Sequence, residues 1–311
     1  MIKIEHLTKK YGERYAINDI SFSVEKGEIV GFLGPNGAGK TTTMSILTGY
    51  LSSTSGRAEV DGLDILEHPM AVKKKIGYLP EVPPLYLDMT VKEYLEFIYD
   101  LKRCELGKKE HIGEIARTIG IDGVMGRMIK NLSKGYRQRV GIAGALVGDP
   151  EVIIFDEPTN GLDPKQIVDI RNLIKELGKT HTVILSTHIL SEVKSVCDRI
   201  IIINEGKIVA DCKTGDIESA VHGNRRVSVR IQGPQSSVSN ALKKINGVIS
   251  ADVAVDYGDG SYSYLVESGG DLDIRKPIFF MLAQNSWPIL SMESVGATIE
   301  NVFLSAVGGE R

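Results

Sequence analysis

The sequence predicts an α/β fold: a mixed sheet covered by helices, entered through an antiparallel flap, interrupted by a helical segment and followed by a small α+β domain. Three observations carry that expectation. The apolar runs Val152-Ile153-Ile154-Phe155 and Val183-Ile184-Leu185 lack the alternation of a half-exposed strand, as parallel strands buried on both faces do. A glycine-rich loop from Gly34 to Thr41 stands between a strand-like run and a helix-like one. Beyond about residue 222 the chain changes to short runs divided by the breaks His222-Gly223-Asn224, Gly233-Pro234-Gln235 and Gly258-Asp259-Gly260.

Taken in order, Ile2 to Glu5 and Ile20 to Val24 alternate apolar and polar residues and read as flap strands, and Glu28 to Leu33 follows the turn Glu25-Lys26-Gly27 as a strand feeding the loop. Lys40 to Tyr50 reads as a helix turning Met44, Ile46 and Leu47 inward. Residues 91 to 148 are mostly helical in pattern, with Tyr94, Leu95, Phe97, Ile98 and Leu101 spaced for one apolar face. Ile200 to Asp211, turning at Glu205-Gly206, reads as a hairpin that closes a first domain at about residue 221. Residues 222 to 311 then give a strand (Arg226 to Ile231), a helix (Val238 to Ile245) and a hairpin (Ile249 to Asp256 and Ser261 to Val266). A helix (Ile274 to Gln284), a strand (Pro288 to Met292) and a last helix (Ile299 to Val307) complete it. A β-α-β-β-α-β order predicts a ferredoxin-like sandwich.

Composition narrows the class further. A chain of 311 residues, 42% hydrophobic and 25% charged, is long enough for two domains with sizeable cores, and a net charge of −3 gives no reason to expect nucleic acid as a partner. Cys104, Cys197 and Cys212 are scattered without metal or disulfide spacing, so they are expected to be inert thiols in a reducing compartment. Met1 to Glu5 lacks the apolar core of a signal peptide. The richest apolar stretch, Val183 to Leu190, is broken by Ser, Thr and His, so the chain is not expected to span a membrane by itself.

The loop Gly34-Pro35-Asn36-Gly37-Ala38-Gly39-Lys40-Thr41 matches GxxxxGK[ST] in its required strand–loop–helix context. Phosphates need dense positive potential without bulk, and glycines let backbone N–H groups converge on them at a helix N-terminus. Lys40 is then placed for the β- and γ-phosphates, Thr41 for Mg²⁺, and Thr42 for the same phosphate group. Asp156-Glu157, at the carboxyl end of an apolar strand, would alone read as a solvated turn. Beside a phosphate loop the pair becomes a candidate Mg²⁺ holder, Asp156, and a candidate base for the attacking water, Glu157. Ser133 stands where a helix would begin and reads as a cap and an anion site together.

With these residues in hand, the chain from 1 to about 220 resembles the ABC ATPase family. The segment Leu132-Ser133-Lys134-Gly135-Tyr136-Arg137-Gln138-Arg139 is similar to its signature, Asn160-Gly161-Leu162-Asp163 to its D-loop, and His188 in Ser186-Thr187-His188 to its switch histidine. Glu81 in Gly77-Tyr78-Leu79-Pro80-Glu81 stands at the Q-loop position, and Tyr11 in Lys10-Tyr11-Gly12 at that of the adenine-stacking aromatic, with Tyr15 as the other candidate. Two departures are the glutamate at 81, where glutamine is usual, and Lys134 and Tyr136, where Gly and Gln are commonest.

The resemblance implies a phosphate-loop ABC ATPase domain over residues 1–221, with a helical subdomain at about 91–148, and an accessory α+β domain over 222–311 with a regulatory or dimerising role. It implies ATP and Mg²⁺ as cofactors and Glu157, His188 and Lys40 as catalytic residues. Thr41, Asp156 and Glu81 would serve the metal, and Ser133, Gly135 and Asp163 the nucleotide bound by a second ATPase domain. It further implies a homodimer or a pair with a second such subunit, and a separate integral-membrane permease. The chain would then lie in the cytoplasm at the inner face of the cell membrane and drive export. The accessory domain's closing Thr298-Ile299-Glu300-Asn301-Val302-Phe303 is similar to extensions on some exporter ATPases. The other reading is a soluble ABC-type ATPase that remodels a macromolecular complex. A GTPase is disfavoured by the lack of an Asn-Lys-x-Asp motif.

Overall fold

The computed structural model describes residues 1–214, 225–269 and 272–295. The chain divides into two compact units, Met1–Thr214 and Gly215–Arg311. The sequence-based boundary at 221/222 and the expected last helix, Ile299 to Val307, lie outside the described residues.

In the first unit, β1 (Ile2–Tyr11) and β2 (Arg14–Val24) form a long antiparallel pair, and β3 (Ile29–Leu33) carries the chain into the interior. Helix α1 (Lys40–Leu47) follows the glycine loop and buries Met44, Ile46 and Leu47. Next come β4 (Ser55–Val60), β5 (Leu63–Asp64), α2 (Pro69–Lys75) and β6 (Ile76–Leu79). The helical segment holds α3 (Val91–Lys102), opened by a capping box between Thr90 and Glu93, α4 (Lys108–Ile119) and α5 (Lys134–Leu146). Then β7 (Val152–Asp156), α6 (Pro164–Gly178), β8 (Thr182–Thr187), α7 (Leu190–Val196), β9 (Arg199–Asn204) and β10 (Lys207–Lys213) complete the unit.

Two sheets result. The flap has the order β2-β1-β4-β5 and is antiparallel; the central sheet has the order β10-β9-β3-β8-β7-β6, parallel except for β10 at its edge. The non-alternating runs at 152–155 and 183–185 are fully buried strands at the centre of this sheet, as their composition predicts. One apolar cluster joins flap side chains such as Ile4 and Phe22 to Met44 and Leu47 of α1 and to Phe32, Ile154 and Ile184 of the central sheet. On the other face α7 approaches β3 so closely that a Cβ on Gly31 would collide with Val193.

One helix face departs from expectation. In α3 the buried residues are Val91, Tyr94, Leu95 and Tyr99, whereas Phe97 and Leu101 are exposed. The 3.6-residue period places Tyr99, which also donates from its hydroxyl to the Leu106 carbonyl, on the inner side that Leu101 was expected to fill.

The second unit contains β11 (Arg225–Gln232), α8 (Gln235–Lys243), β12 (Val248–Asp256), β13 (Ser261–Ser268), α9 (Arg275–Gln284) and β14 (Ile289–Val295). Its antiparallel sheet has the order β12-β13-β11-β14, so the first and third strands are central, as a ferredoxin-like sandwich requires. Val227, Val229, Tyr264 and Val266 pack with Val238 and Leu242 of α8 and Ile278 and Leu282 of α9 in a core of their own.

Candidate active site

The carboxyl ends of β3, β7 and β8 meet at one edge of the central sheet, and each delivers a different chemical group there. After β3 the chain must turn sharply into α1. Gly34 permits it because a Cβ there would lie 2.4 Å from the Ile203 carbonyl oxygen, and Gly39 does so with φ 112° and the Ala16 carbonyl 2.6 Å from where its Cβ would stand. No side chain caps α1, so its first N–H groups remain open to an anion in the loop. Lys40 is buried and donates from Nζ to the carbonyls of Gly34, at 2.8 Å, and Pro35, at 3.2 Å.

β7 ends on Asp156 and the chain leaves it through Glu157, whose φ of 49° turns its side chain out of the strand's alternation. Its carboxylate lies 3.3 Å from Lys40 Nζ through Oε1 and 2.9 Å from His188 Nδ1 through Oε2. Asp156 is wholly buried: Oδ1 accepts from the Ser186 hydroxyl at 2.7 Å, and Oδ2 finds no hydrogen-bond partner among the described residues. Burial lifts the Asp156 carboxyl above the ordinary aspartate range, while the Ser186 hydrogen bond, the neighbouring Thr41 hydroxyl and the Lys40 charge oppose that rise.

A pocket at this edge is lined by Asn36, Gly37, Gly39, Lys40, Thr41, Thr42, Glu81, Glu157 and His188. Gly34, Pro35 and Ala38 of the loop are not among the residues that line it. Two further residues line it: Ala16, which sequence reasoning missed, and Asn160, which was read as the head of the D-loop segment without being assigned to the site. Asn160 donates from Nδ2 to Glu81 Oε1 at 2.7 Å, joining residues 79 positions apart. Its sequence signal was its place at the head of Asn160-Gly161-Leu162-Asp163. Tyr11 is 54% exposed at the end of β1, and Tyr15 is exposed as well; neither lines the pocket.

Ser133, Gly135 and Asp163 converge in a second cleft, with Tyr136, Arg139 and Gln166, and it shares no lining residue with the first. Ser133 is the N-cap of α5, its hydroxyl accepting from Tyr136 N at 3.3 Å, and Asp163 caps α6 by accepting from Gln166 N at 2.9 Å. Gly135 sits against the Gln166 side chain, where a Cβ would be 2.6 Å away. Gln138 of α5 donates to the Pro158 carbonyl at 2.7 Å, tying that helix to the loop after Glu157.

A phosphate loop, an acidic pair and a histidine gathered at the carboxyl end of one parallel sheet define a nucleoside-triphosphate hydrolase of the phosphate-loop class. The family model described as ABC transporter matches residues 17–160. The chain is 32% identical to the bacitracin transport ATP-binding protein BcrA of Bacillus licheniformis, over 99% of this chain and 98% of that one. It is 35% identical to the linearmycin resistance ATP-binding protein LnrL of Bacillus subtilis (strain 168), over 79% of each. Among solved structures it is similar to the ATP-binding cassette MJ0796, a dimer in a post-hydrolysis state bound to ADP and Pi, with a TM-score of 0.63 and 28% identity over 69% of this chain and 99% of that one. The chain belongs to the ABC transporter ATP-binding family, and it is an ATP-hydrolysing subunit that serves transport.

Proposed function

We propose that this ATPase powers an exporter and that Glu157 is the base that activates water. The observation that carries the reading is the Glu157 carboxylate held between Lys40 Nζ, at 3.3 Å, and His188 Nδ1, at 2.9 Å, at the mouth of the phosphate loop. Backbone N–H groups of Gly37 to Thr41 and the Lys40 ammonium bind the β- and γ-phosphates, with Thr42 beside them. Glu157 takes a proton from the attacking water, the oxygen bonds to the γ-phosphorus, and ADP leaves with the bridging oxygen. His188 donates to the γ-phosphate as charge develops on it.

The partnerless Asp156 Oδ2 and the Thr41 hydroxyl are hard oxygen donors suited to Mg²⁺, with Glu81 within the same pocket. When bound, that ion neutralises charge shared between the β- and γ-phosphates.

The second cleft, around Ser133, presents a helix N-terminus to the γ-phosphate held by another ATPase domain, a second copy or a related subunit. ATP then favours the closed pair, and hydrolysis releases it. Among the described residues no helix is long and apolar enough to cross a membrane. A membrane permease as partner, with this subunit at the cytoplasmic face, is supported by the relatives named as transport ATP-binding proteins. Export is supported by relatives named for bacitracin transport and linearmycin resistance; the complex-remodelling alternative finds no such support.

Glu157→Gln keeps the shape of the side chain and removes its basicity. Purified protein carrying it is expected to bind ATP and pair while turnover falls about 100-fold or more. Normal turnover would rule out Glu157 as the base.

A further inference from the structure

Behind the Glu157–His188 pair, away from the pocket lining, lies a second carboxyl. Glu192, in the first turn of α7, is 1% exposed. Burying such a group is costly unless both oxygens are satisfied, and here they are. Oε1 accepts from the Thr159 hydroxyl at 2.5 Å, and Oε2 from the Thr187 hydroxyl at 2.9 Å. Arg171 of α6 adds its charge, Nη2 standing 3.6 Å from Oε1 and also donating to the Ser191 hydroxyl at 3.3 Å.

The positions of the two threonines matter most. Thr159 lies two residues after Glu157, and Thr187 immediately precedes His188, where its hydroxyl also accepts from Ile189 N at 3.1 Å. One buried side chain therefore grips both loops that carry the reacting pair. His188 is 42% exposed on its side chain and meets Glu157 through a single contact, so its place depends on the backbone behind it. Arg171 extends the grip to α6, the helix that begins directly after Asp163.

We infer that Glu192 is a positioning residue for ATP hydrolysis: it clamps Thr159 to Thr187 and so holds Glu157 and His188 at their working separation, with Arg171 tying that clamp to the helix of the second cleft. Glu192 touches neither nucleotide nor water. Its effect falls on the chemical step, because the phosphate loop that binds ATP is built on β3 and α1. The inference rests on Glu157 being the base.

The test is steady-state ATPase kinetics on the full chain carrying Glu192→Ala, Glu192→Gln, Thr159→Val or Thr187→Val. A displacement of about 1 Å in a reacting group can cost about 100-fold in rate, so Glu192→Ala is expected to lower kcat by roughly 10- to 100-fold while KM for ATP stays within about threefold. Glu192→Gln keeps one acceptor and gives a donor that a reoriented threonine hydroxyl can accept, and it is expected to recover kcat to within about threefold of the parent. Each threonine variant, close to isosteric, should fall between. Placed in the Glu157→Gln background, Glu192→Ala should cost less than it does in the parent, since one of the two groups it positions has lost its function.

Unchanged kcat in Glu192→Ala would overturn the inference. So would a KM that rises as kcat falls, or a Glu192→Ala loss that persists undiminished beside Glu157→Gln. If Glu192→Ala does not fold, the two threonine variants decide: parental kcat in both overturns the clamp. Normal turnover in Glu157→Gln alone would instead remove the base assignment on which the inference stands, so the two failures are distinguishable.

Discussion

Asp156 and Glu157 are neighbours in sequence and opposites in environment. Asp156 stays in the strand, wholly buried, with one oxygen partnerless; Glu157 steps into a left-handed backbone and reaches the pocket. Burial raises the Asp156 pKa in the fold, so the sign of its effect on stability is fixed. Its favourable contribution is full below the ordinary aspartate value of about 3.9 and is lost as pH rises through the folded value. Without nucleotide and metal, Asp156→Asn should therefore melt at or above the parent temperature near pH 7, with each kcal/mol recovered worth roughly 2–4 °C in a unit of this size. The gap should narrow as pH falls, and ATP with Mg²⁺ should protect the parent more than the variant. Calorimetric scans across pH check this, and a variant that melts well below the parent at neutral pH would contradict it. The pair was legible in the sequence because four apolar residues precede it and a phosphate loop accompanies it. Glu192 was not. A lone glutamate in a helix reads as solvated, and only the folded chain brings Thr159 and Thr187 to it across 33 and 5 positions.

At the scale of elements, α5 shows how one feature serves two ends. Its Ser133 cap satisfies an otherwise open N–H group, and the same N-terminus lines the second cleft, where the proposed function sets the phosphate of another subunit. The two roles separate by substitution. Ser133→Ala removes the cap and should cost about 1 kcal/mol of stability, whereas Ser133→Asp keeps a cap but sets a negative charge where a phosphate must lie. Ser133→Asp is expected to melt near the parent temperature while ATPase activity drops about tenfold or more; thermal melts beside turnover measure both. The elements themselves were unevenly legible. The central strands and the hairpin at β9–β10 show in their hydrophobic patterns, but β4 to β6 do not. β4 carries Gly56, Arg57 and Glu59 in an outlying sheet, α2 has seven residues, and β6 has four, too short for any period to register. The order of the central sheet was hidden as well, because β3 pairs with β8 and β9 across 154 and 169 positions and no local pattern encodes such a partner.

Across the whole molecule, both clefts belong to the unit Met1–Thr214, while Gly215–Arg311 has its own core and its own four-stranded sheet. Composition and the shift in pattern near residue 222 announced two units, and the phosphate loop announced where the chemistry lies. What the sequence could suggest only through resemblance is that the half-sites face different neighbours. On one chain the residues around Lys40 and those around Ser133 form separate clefts with no lining residue in common. Genetic complementation follows from that separation. A chain with Ser133→Asp keeps a sound Lys40–Glu157 side, and a chain with Glu157→Gln keeps a sound Ser133 side. Mixed before nucleotide is added, two preparations that are each nearly inactive should regain turnover, up to about one working site in four if two copies pair at random. The inert protein in each tube would become half of an enzyme in the other's company.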